Sequence, residues 1–235
     1  MVDFIEKEFV TEHLASVDST NTYVEKKYLK KRISAIVRAD KQTAGSGTKG
    51  RSFISAEGGL YVTRLEFFDY LPASRAFGIM INYAMGVVKT LAAFAIDAKI
   101  KWPNDIIVNG RKICGILIKN GFCGDFVDYS LTGVGINVNN DIDPEIKDVA
   151  ISMKQIAGKS FDLESVFFTF IKNVQEDSSI EDYRRYSAVI GKKIRVIRSS
   201  GTTEETAVSI TDDGRLVLSN GEILSAAELD LKIGF

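Results

Sequence analysis

The spacing of apolar and polar positions in the first third of the chain switches between the periods of strands and helices. Residues 13–17 have the pattern of the end of a strand, and Asp18 or Ser19 can cap a helix that follows. A two-residue period returns over residues 33–39, and residues 60–68 are rich in strand-forming side chains. These patterns predict a strand, a helix and two further strands, with a glycine-containing stretch between the last two.

The middle of the chain combines its longest helical pattern with a hairpin signal. Apolar residues over positions 77–95 recur with the period of a helix, and Pro72 suits the first turn of that helix. Residues 106–108 and 113–118 are strand-like and flank Asn109-Gly110, a dipeptide that favours a type I′ turn. We therefore expect a core helix followed by an antiparallel meander.

The last third of the chain changes from helical patterns to short strands. Residues 146–157 and 163–186 have helical spacing. Short strands follow, punctuated by Asp213-Gly214 and Asn220-Gly221, at residues 194–197, 206–210, 216–218 and 222–224. We predict a small β-barrel at the C-terminus, joined to the rest of the chain by a tight boundary near residues 187–191.

Composition makes this an ordinary globular protein and removes several classes of partner. Hydrophobic residues make up 45% of the chain and charged residues 26%, with 30 basic against 31 acidic side chains. A net charge near zero provides no general attraction to nucleic acid or to an anionic membrane, so we expect neither as a partner. The N-terminus lacks the basic and apolar regions of a signal peptide, which predicts a cytoplasmic protein. Cys114, Cys123 and a single histidine are too few for a structural zinc site, so we expect reduced thiols.

The stretch Gly45-Ser46-Gly47-Thr48-Lys49-Gly50 is the first candidate for chemistry. Its glycines fit the dinucleotide pattern G-x-G-x-x-G, and with Arg51 it comes close to a phosphate-binding P-loop. Both motifs need a helix to begin where the loop ends, whereas a strand follows here. A plain surface loop is one remaining interpretation. The other is an anion-binding loop and lid, in which backbone N–H groups converge on a phosphorylated ligand while Lys49 and Arg51 donate charged hydrogen bonds.

A second cluster of polar residues surrounds the single tryptophan. In Lys101-Trp102-Pro103-Asn104-Asp105 the proline restricts the residue before it, so the polar side chains are presented by a stiff turn, which suits catalysis. The hairpin that follows would bring Lys112 back beside Asp105. A solvated turn lysine is the alternative role for Lys112. Gly135-Ile136-Asn137 ends the next strand with an amide that can read an adenine edge or cap a turn.

Five segments, taken together, resemble the motifs of the biotin–protein ligase family in order and spacing. They are Ser19-Thr20-Asn21, Asp40-Lys41-Gln42-Thr43-Ala44-Gly45, Lys101-Trp102-Pro103-Asn104-Asp105, Lys112 with Gly115-Ile116-Leu117, and Gly135-Ile136-Asn137. The resemblance implies an α+β fold with a mixed sheet flanked by helices, shared with lipoate ligases and related to class II aminoacyl-tRNA synthetases. It also implies a small C-terminal SH3-like β-barrel. The catalytic ligase domain would be residues 1–187 and the SH3-like domain residues 188–235.

The resemblance implies an enzyme that uses ATP to convert biotin into biotinyl-5'-AMP and then transfers biotin to one lysine of a partner. That partner would be the biotin carboxyl carrier protein domain of a carboxylase, and Mg²⁺ would be held through the ATP phosphates rather than by a metal site of the protein. A lipoate-type ligase of the same fold is the alternative. Some relatives carry a DNA-binding module, for which the eighteen residues before Ser19 are too few. Homodimers are common among single-module relatives, so a homodimer is compatible with the resemblance.

The resemblance also assigns individual residues to catalysis, to biotin and to ATP. Lys112 would stabilise the charge that develops when the biotin carboxylate attacks the α-phosphate, and Asp105 would orient Lys112 or the incoming amine. The residues implied at biotin are Ser19, Thr20, Asn21, Gln42, Gly45, Ser46, Gly47, Thr48, Lys112 and Gly115. The residues implied at ATP are Lys49, Arg51, Phe53, Lys101, Asn104 and Asn137.

Three positions depart from the family's pattern, namely Ser46, Thr48 and Phe53, where tryptophan is common, and the departure at Thr48 is the serious one. Where the family has an arginine that retains the intermediate, this chain has Thr48, which cannot supply a guanidinium. The loss of one charge-assisted contact costs about 1.5–3 kcal/mol, a tenfold to hundredfold loss in retention of the adenylate. Lys49 would offset part of that loss. The substitution leaves open a further alternative, a biotin-binding module without catalytic activity.

We predict that Thr48→Arg slows the release of biotinyl-AMP by roughly tenfold to a hundredfold, because it restores a charge-assisted contact. The same variant should label exposed lysines of bystander proteins less than the wild type does. Both are measured by chasing labelled biotinyl-AMP from the protein and by counting modified lysines on an added bystander. Equal off-rates in the two proteins would contradict the hypothesis.

Overall fold

A computed structural model describes residues 8–198, 201–225 and 230–233. The chain divides into two compact units, one formed by residues 1–73 with 111–168 and the other by residues 74–110 with 169–235. Each unit therefore takes segments from two separate parts of the sequence. The boundary between a catalytic domain at 1–187 and an SH3-like domain at 188–235 stays a prediction.

The described residues form twelve strands and five α-helices. The strands are β1 Val10–Leu14, β2 Ala35–Ala39, β3 Leu60–Pro72, β4 Lys99–Lys101, β5 Asp105–Val108, β6 Arg111–Cys123, β7 Phe126–Ile136, β8 Lys193–Arg198, β9 Gly201–Ile210, β10 Leu216–Leu218, β11 Ile223–Leu224 and β12 Asp230–Ile233. The helices are α1 Thr20–Tyr28, α2 Phe77–Ala93, α3 Met153–Ala157, α4 Leu163–Val174 and α5 Ile180–Arg185. Short 3-10 helices lie at Leu29–Lys31, Thr48–Gly50, Ala73–Arg75 and Pro144–Ile146.

A mixed sheet with α1 against one face forms the first unit. Its strands follow the order β1-β2-β3-β7-β6, with β1 parallel to β2 and the other neighbours antiparallel. Helix α1 contacts β3 and β7. Buried apolar residues fill this contact, namely Val24, Tyr28, Ala35, Val37, Leu65 and Leu131. Because strand side chains alternate between faces, Thr63 lies on the same face as Leu65 and therefore also points toward α1.

The second unit combines α2 with a hairpin and a separate small sheet. Helix α2 contacts α5, β4 and β5, and β4 pairs antiparallel with β5. The small sheet has the order β11-β10-β9-β8-β12, and every neighbouring pair in it is antiparallel. The α+β class is therefore confirmed, both in the helix-flanked mixed sheet and in the separate antiparallel sheet near the C-terminus.

Local sequence signals correctly predicted a helix cap, a turn and the position of the glycine-containing stretch. Ser19 is the N-cap of α1, and its side chain accepts from the Thr22 N–H. Asn109 and Gly110 both have positive φ, 50° and 75°, as a type I′ turn requires. The glycine-containing stretch lies between β2 and β3, where a strand and not a helix follows it.

Three helix boundaries were predicted wrongly. Of residues 146–157, only Met153–Ala157 forms an α-helix, α3, which begins after its N-cap Ser152. Pro72 ends β3, where it pairs with Phe126, and α2 begins five residues later at Phe77. The helical pattern over residues 163–186 is broken into α4 and α5, because Ser179 forms a capping box with Asp182 and starts a new helix. Apolar spacing alone does not detect such an interruption, since both helices keep an apolar face.

Residues Ala73–Ala93 include a helix that is long and apolar enough to cross a membrane by length and composition alone. In the structure most of this segment is covered by protein, and its buried residues include Tyr83, Met85, Val87 and Leu91. A helix that is apolar on most of its surface is typical of the interior of a domain. Its composition is thus explained by its place in the core of the second unit.

Helix α2 provides two glycines for a matched test of packing. A Cβ added at Gly86 would lie 2.5 Å from Val174 Cγ1 and 3.1 Å from Val174 Cα, whereas one added at Gly78 would meet nothing within 4 Å. We predict that Gly86→Ala destabilises the protein by about 1–3 kcal/mol through overpacking. Gly78→Ala should be neutral or stabilising by up to about 1 kcal/mol, because alanine favours helix. Chemical denaturation measures both; equal stabilities for the two variants would argue against the close contact.

Candidate functional site

The carboxamide of Gln42 ties the N-terminus of α1 to the far side of the glycine loop. Gln42 Oε1 accepts from the backbone N–H of Thr20 at 2.8 Å and from Thr20 Oγ1 at 3.0 Å. Its Nε2 donates to Ser55 Oγ at 2.8 Å, and Ser55 donates to the Phe53 carbonyl at 2.9 Å. One amide thus satisfies an otherwise unpaired helix N–H and joins both ends of residues 42–55. Ser19, the N-cap, is itself buried beside Thr20.

Thr63 extends this network on the sheet below α1. Its hydroxyl is fully buried. It can donate to Thr20 Oγ1, which lies 2.8 Å away, or to Asn21 Oδ1, which lies 2.6 Å away. A hydroxyl carries one hydrogen, so Thr63 can serve only one acceptor at a time. The side chain of Asn21 occupies the space above Gly133, where an added Cβ would overlap its carboxamide. The polar residues at the start of α1 are therefore held by one another and by the sheet.

The loop that follows Gln42 closes on itself. The Gly47 N–H donates to the Arg51 carbonyl at 2.7 Å, and the Phe53 N–H donates to the Gly45 carbonyl at 2.8 Å. Ser46 forms an isolated bridge with Ser52. Glycine is required at position 45, because a Cβ there would lie 2.5 Å from Ser55 Oγ and would also overlap the Phe53 carbonyl.

Thr48 and Arg51 are neighbours at the tip of this loop. The Arg51 guanidinium donates to the Thr48 carbonyl at 3.4 Å and to Thr48 Oγ1 at 3.3 Å. A guanidinium is therefore present at the tip although position 48 is not arginine. The side chain of Lys49, which was assigned to ATP, lies outside the described residues.

A pair of glycines on adjacent strands forms a recess beside the loop. Gly115 of β6 and Gly135 of β7 face each other in register. A Cβ at Gly135 would lie 2.5 Å from the Phe53 ring, and one at Gly115 would lie 2.8 Å from Lys112 Nζ. The absence of side chains at both positions is what lets the Phe53 ring and the Lys112 ammonium approach the sheet. Lys112 Nζ lies 5.5 Å from the centre of the Phe53 ring, within cation–π range.

The backbone holds Lys112 in place. Its N–H donates to the Val149 carbonyl at 2.8 Å, and its carbonyl accepts from the Ile151 N–H at 2.9 Å. Phe53, on the other side of the ammonium, packs edge-on against Tyr61 with ring centres 6.4 Å apart. Burial raises the pKa of Tyr61 well above its ordinary value, so its hydroxyl stays protonated and donates to the Ala56 carbonyl at 2.6 Å. The backbone of Lys112 is therefore held by two hydrogen bonds, and its ammonium faces the Phe53 ring.

Asn137, assigned to the adenine, is buried and engaged within the protein. Its Nδ2 donates to the Ile151 carbonyl at 3.2 Å, and its Oδ1 accepts from Asn140 Nδ2 at 3.1 Å. A primary amide has two N–H groups and two lone pairs, so these two bonds do not use its full capacity. A contact with adenine stays a prediction for this side chain.

The remaining assigned residues belong to the second unit. Lys101 ends β4 and Asp105 begins β5, and the two are register partners across the turn that contains Asn104. The Trp102-Pro103 peptide bond in that turn is cis. The expected approach of Asp105 to Lys112 stays a prediction, as do the nucleotide contacts of Lys101 and Asn104.

Sequence reasoning missed Thr63 and Ser55, both buried members of the network around Gln42. Thr63 had a detectable signal, because it is a polar residue on the inward face of a strand whose next inward position is Leu65. Ser55 had none, since it lies in an irregular segment where serine is common. Among the described residues, no group of three or more His, Cys, Asp or Glu side chains is placed to hold a metal ion.

Comparison with known proteins identifies relatives of this chain. The model of the biotin/lipoate A/B protein ligase family matches residues 14–137. The bifunctional ligase/repressor BirA of Bacillus subtilis is 33% identical over 214 residues, which are 85% of this chain and 66% of that protein. The biotin–[acetyl-CoA-carboxylase] ligase of Paracoccus denitrificans is 34% identical over 130 residues, 53% of each chain. The chain thus spans just under two thirds of the length of the Bacillus relative.

A solved structure shows the same fold. The biotin protein ligase of Aquifex aeolicus, solved in complex with biotin and ATP, superposes with a TM-score of 0.77 over 96% of this chain and 99% of that one. The two sequences are 24% identical, so this likeness supports the fold alone.

Removal of the Thr63 hydroxyl tests whether this side chain contributes to ligand binding in addition to stability. We predict that Thr63→Val weakens the binding of biotin, the ligand that the resemblance assigns, by roughly tenfold, because Thr20 and Asn21 lose a buried partner. Thr132→Val is the matched control: Thr132 is also buried in the sheet, on the neighbouring strand, and its hydroxyl bonds Ser130 at 3.0 Å.

Both variants should lose about 1 kcal/mol of stability, whereas only Thr63→Val should change the biotin dissociation constant measured by calorimetric titration. The same loss of affinity in both variants would show that Thr63 has no special role in binding.

Proposed function

Because this chain belongs to the biotin/lipoate A/B protein ligase family, we propose that it activates biotin with ATP and transfers the biotinyl group to a lysine of a carrier protein. The observation that carries the proposal is the setting of Lys112, whose ammonium lies at the glycine pair beside the Phe53 ring. Such a fixed cation can stabilise negative charge as it develops, without reorganising during the reaction. The Paracoccus relative, named a biotin–[acetyl-CoA-carboxylase] ligase, and the Bacillus relative, named a bifunctional ligase/repressor, support the choice of reaction.

In the first step, an oxygen of the biotin carboxylate attacks the α-phosphorus of ATP, and pyrophosphate leaves. Lys112 would contact the carboxylate and the α-phosphate, lowering the energy of the additional charge on phosphorus. In the second step, the neutral amine of the carrier lysine attacks the acyl carbon of biotinyl-AMP, AMP departs with the bonding electrons, and the nitrogen releases one proton to water. Asp105 would orient Lys112 or the incoming amine in this reaction.

The network around Gln42 suits the polar head of biotin. The ureido group has two N–H donors and one carbonyl acceptor, so it needs acceptors and donors placed together. Ser19, Thr20 and Gln42 offer hydroxyl and amide groups of both kinds within a buried site. A ligand without the ureido group cannot use the hydrogen-bonding capacity that these groups still have, which favours biotin over lipoate.

Nucleotide binding is assigned to residues of the loop and of the second unit. Arg51, Lys101 and Asn104 would hold the phosphates and ribose, with Phe53 and Asn137 at the adenine. Mg²⁺ would enter with the phosphates of ATP and neutralise part of their charge. The carrier would be the biotin carboxyl carrier protein domain of a carboxylase, in the cytoplasm, and neither nucleic acid nor a membrane is part of the proposal. A homodimer is compatible with it.

The proposal is tested by exchange of labelled pyrophosphate into ATP. We predict that the wild type catalyses exchange with biotin and not with lipoate, and that Lys112→Ala lowers the rate by roughly a hundredfold or more, since a fixed cation at the developing charge is lost. Lys119→Ala is the control, because Lys119 lies on the same strand but its ammonium is exposed and pairs with Glu25.

Biotin transfer to a carrier domain is followed afterwards with the same proteins. Exchange driven by lipoate would instead identify a lipoate-type ligase. A wild type that binds biotin but supports no exchange would identify a binding module without catalytic activity.

A further inference from the structure

Two hydrogen bonds fasten the middle of the pentapeptide at residues 101–105. Trp102 is buried, and its indole Nε1–H donates to the carbonyl of Gly214 at 2.8 Å. The carbonyl of Pro103 accepts from the hydroxyl of Tyr183 at 2.7 Å. The two bonds join the pentapeptide to the turn between β9 and β10 and to α5, so they depend on the tertiary fold of the second unit.

Gly214 is fitted closely into this arrangement. Its φ of 86° favours glycine, and the Phe77 ring occupies the space where a side chain would lie. Phe77 in turn packs edge-on against Tyr183, with ring centres 5.4 Å apart. Phe77, Trp102, Pro103, Tyr183 and Gly214 therefore form a closed circuit of contacts, which we call the indole clasp.

The carbonyl of Gly214 is a fixed point because its turn is rigid. The Gly214 N–H donates to the Thr211 carbonyl at 2.9 Å, and the Arg215 N–H donates to Thr211 Oγ1 at 2.9 Å. Arg184, next to Tyr183 in α5, donates to the Ile210 carbonyl at 2.6 Å. The turn and α5 are thus bound to each other as well as to the pentapeptide.

Tyr183 is the donor in its bond to Pro103. Its burial, with a smaller effect of the Asp105 carboxylate, raises the pKa of Tyr183 far above the ordinary value. The hydroxyl therefore keeps its proton at neutral pH and can donate it to the Pro103 carbonyl.

We propose that the indole clasp positions the nucleotide-binding residues Lys101 and Asn104, and so sets the affinity for ATP without contributing to the affinity for biotin. This inference rests on the proposed function, in which those two residues hold ATP. Lys101 and Asn104 are the peptide neighbours of Trp102 and Pro103, so a shift of the clasp moves both of them directly. Binding groups must be held to within a fraction of an ångström for full effect. The turn of the small C-terminal sheet would thereby have a part in nucleotide binding.

Trp102→Phe tests the clasp by removing the indole N–H while keeping an aromatic ring. In biotin-dependent pyrophosphate exchange, we expect the KM for ATP to rise roughly threefold to tenfold, as for one lost buried hydrogen bond. The kcat and the KM for biotin should stay unchanged, a split that general loosening of the structure would not produce. Tyr183→Phe should act in the same direction, because it removes the bond to Pro103.

Gly214→Ala and Gly221→Ala form a matched pair. Both glycines have a φ of 86° in turns of the same small sheet, but a Cβ at Gly214 would overlap Phe77 whereas one at Gly221 would meet nothing within 4 Å. Gly214→Ala should raise the KM for ATP, and Gly221→Ala should not. Equal KM values for ATP in Trp102→Phe, Gly214→Ala and Gly221→Ala, or a parallel rise in the KM for biotin, would overturn the proposal.

Direct calorimetric titration with ATP makes the outcome independent of turnover. If the wild type catalyses exchange and all the variants bind ATP with the same affinity, the result overturns the clasp and leaves the proposed function intact. The wild type could also bind ATP but catalyse no exchange. If Trp102→Phe and Gly214→Ala then bind ATP more weakly than the wild type, the result supports the clasp and overturns the proposed function. A wild type that neither binds ATP nor supports exchange overturns both.

Discussion

The hydrogen bonds of the Gln42 carboxamide determine how the first unit builds its site. A helix N-terminus leaves backbone N–H groups without partners, and burying one of them costs free energy unless an acceptor is supplied. Gln42 supplies that acceptor to Thr20 and, through its own N–H, reaches Ser55 on the returning strand segment. The start of α1, the glycine loop and the segment that leads into β3 are thereby held by one polar group. The arrangement is costly to break, because several buried partners would lose their bonds together.

The second constraint on the first unit is that two side chains must lie close to the backbone of the sheet. Glycines on β6 and β7 make this possible because they have no side chains. The Phe53 ring and the Lys112 ammonium lie where side chains at Gly115 and Gly135 would otherwise be. A cation placed against backbone and an aromatic face loses part of its hydration but keeps favourable electrostatic contacts. That balance leaves Lys112 suited to an anionic ligand, whose charge would replace the water that the lysine has lost. The same geometry brings the Phe53 ring, which follows the glycine loop, against β6 and β7.

In the second unit, polar residues are held in place by hydrogen bonds to segments that are distant in the sequence. Its polar residues at 101–105 belong to a short turn, which would be mobile without support. The indole of Trp102 and the carbonyl of Pro103 are instead bonded to Gly214 and Tyr183, residues that lie far away in sequence. These two bonds tie the turn to the small C-terminal sheet and to α5. Thr48 is a contrasting case, since its partner Arg51 lies only three residues away.

The sequence by itself determined the class of the fold, an N-cap at Asp18 or Ser19, the turn at Asn109-Gly110 and the motifs by which the family is identified. These properties depend on local spacing and local backbone preference, which act over a few residues. They can therefore be predicted from the order of neighbouring side chains. Only the tertiary structure decided that Thr63 and Ser55 join the network around Gln42, that Gly115 makes room for Lys112, and that Gly214 holds Trp102. Each of these depends on contacts between segments distant in the chain, whose partners are selected by packing and by the cost of leaving buried polar groups unpaired.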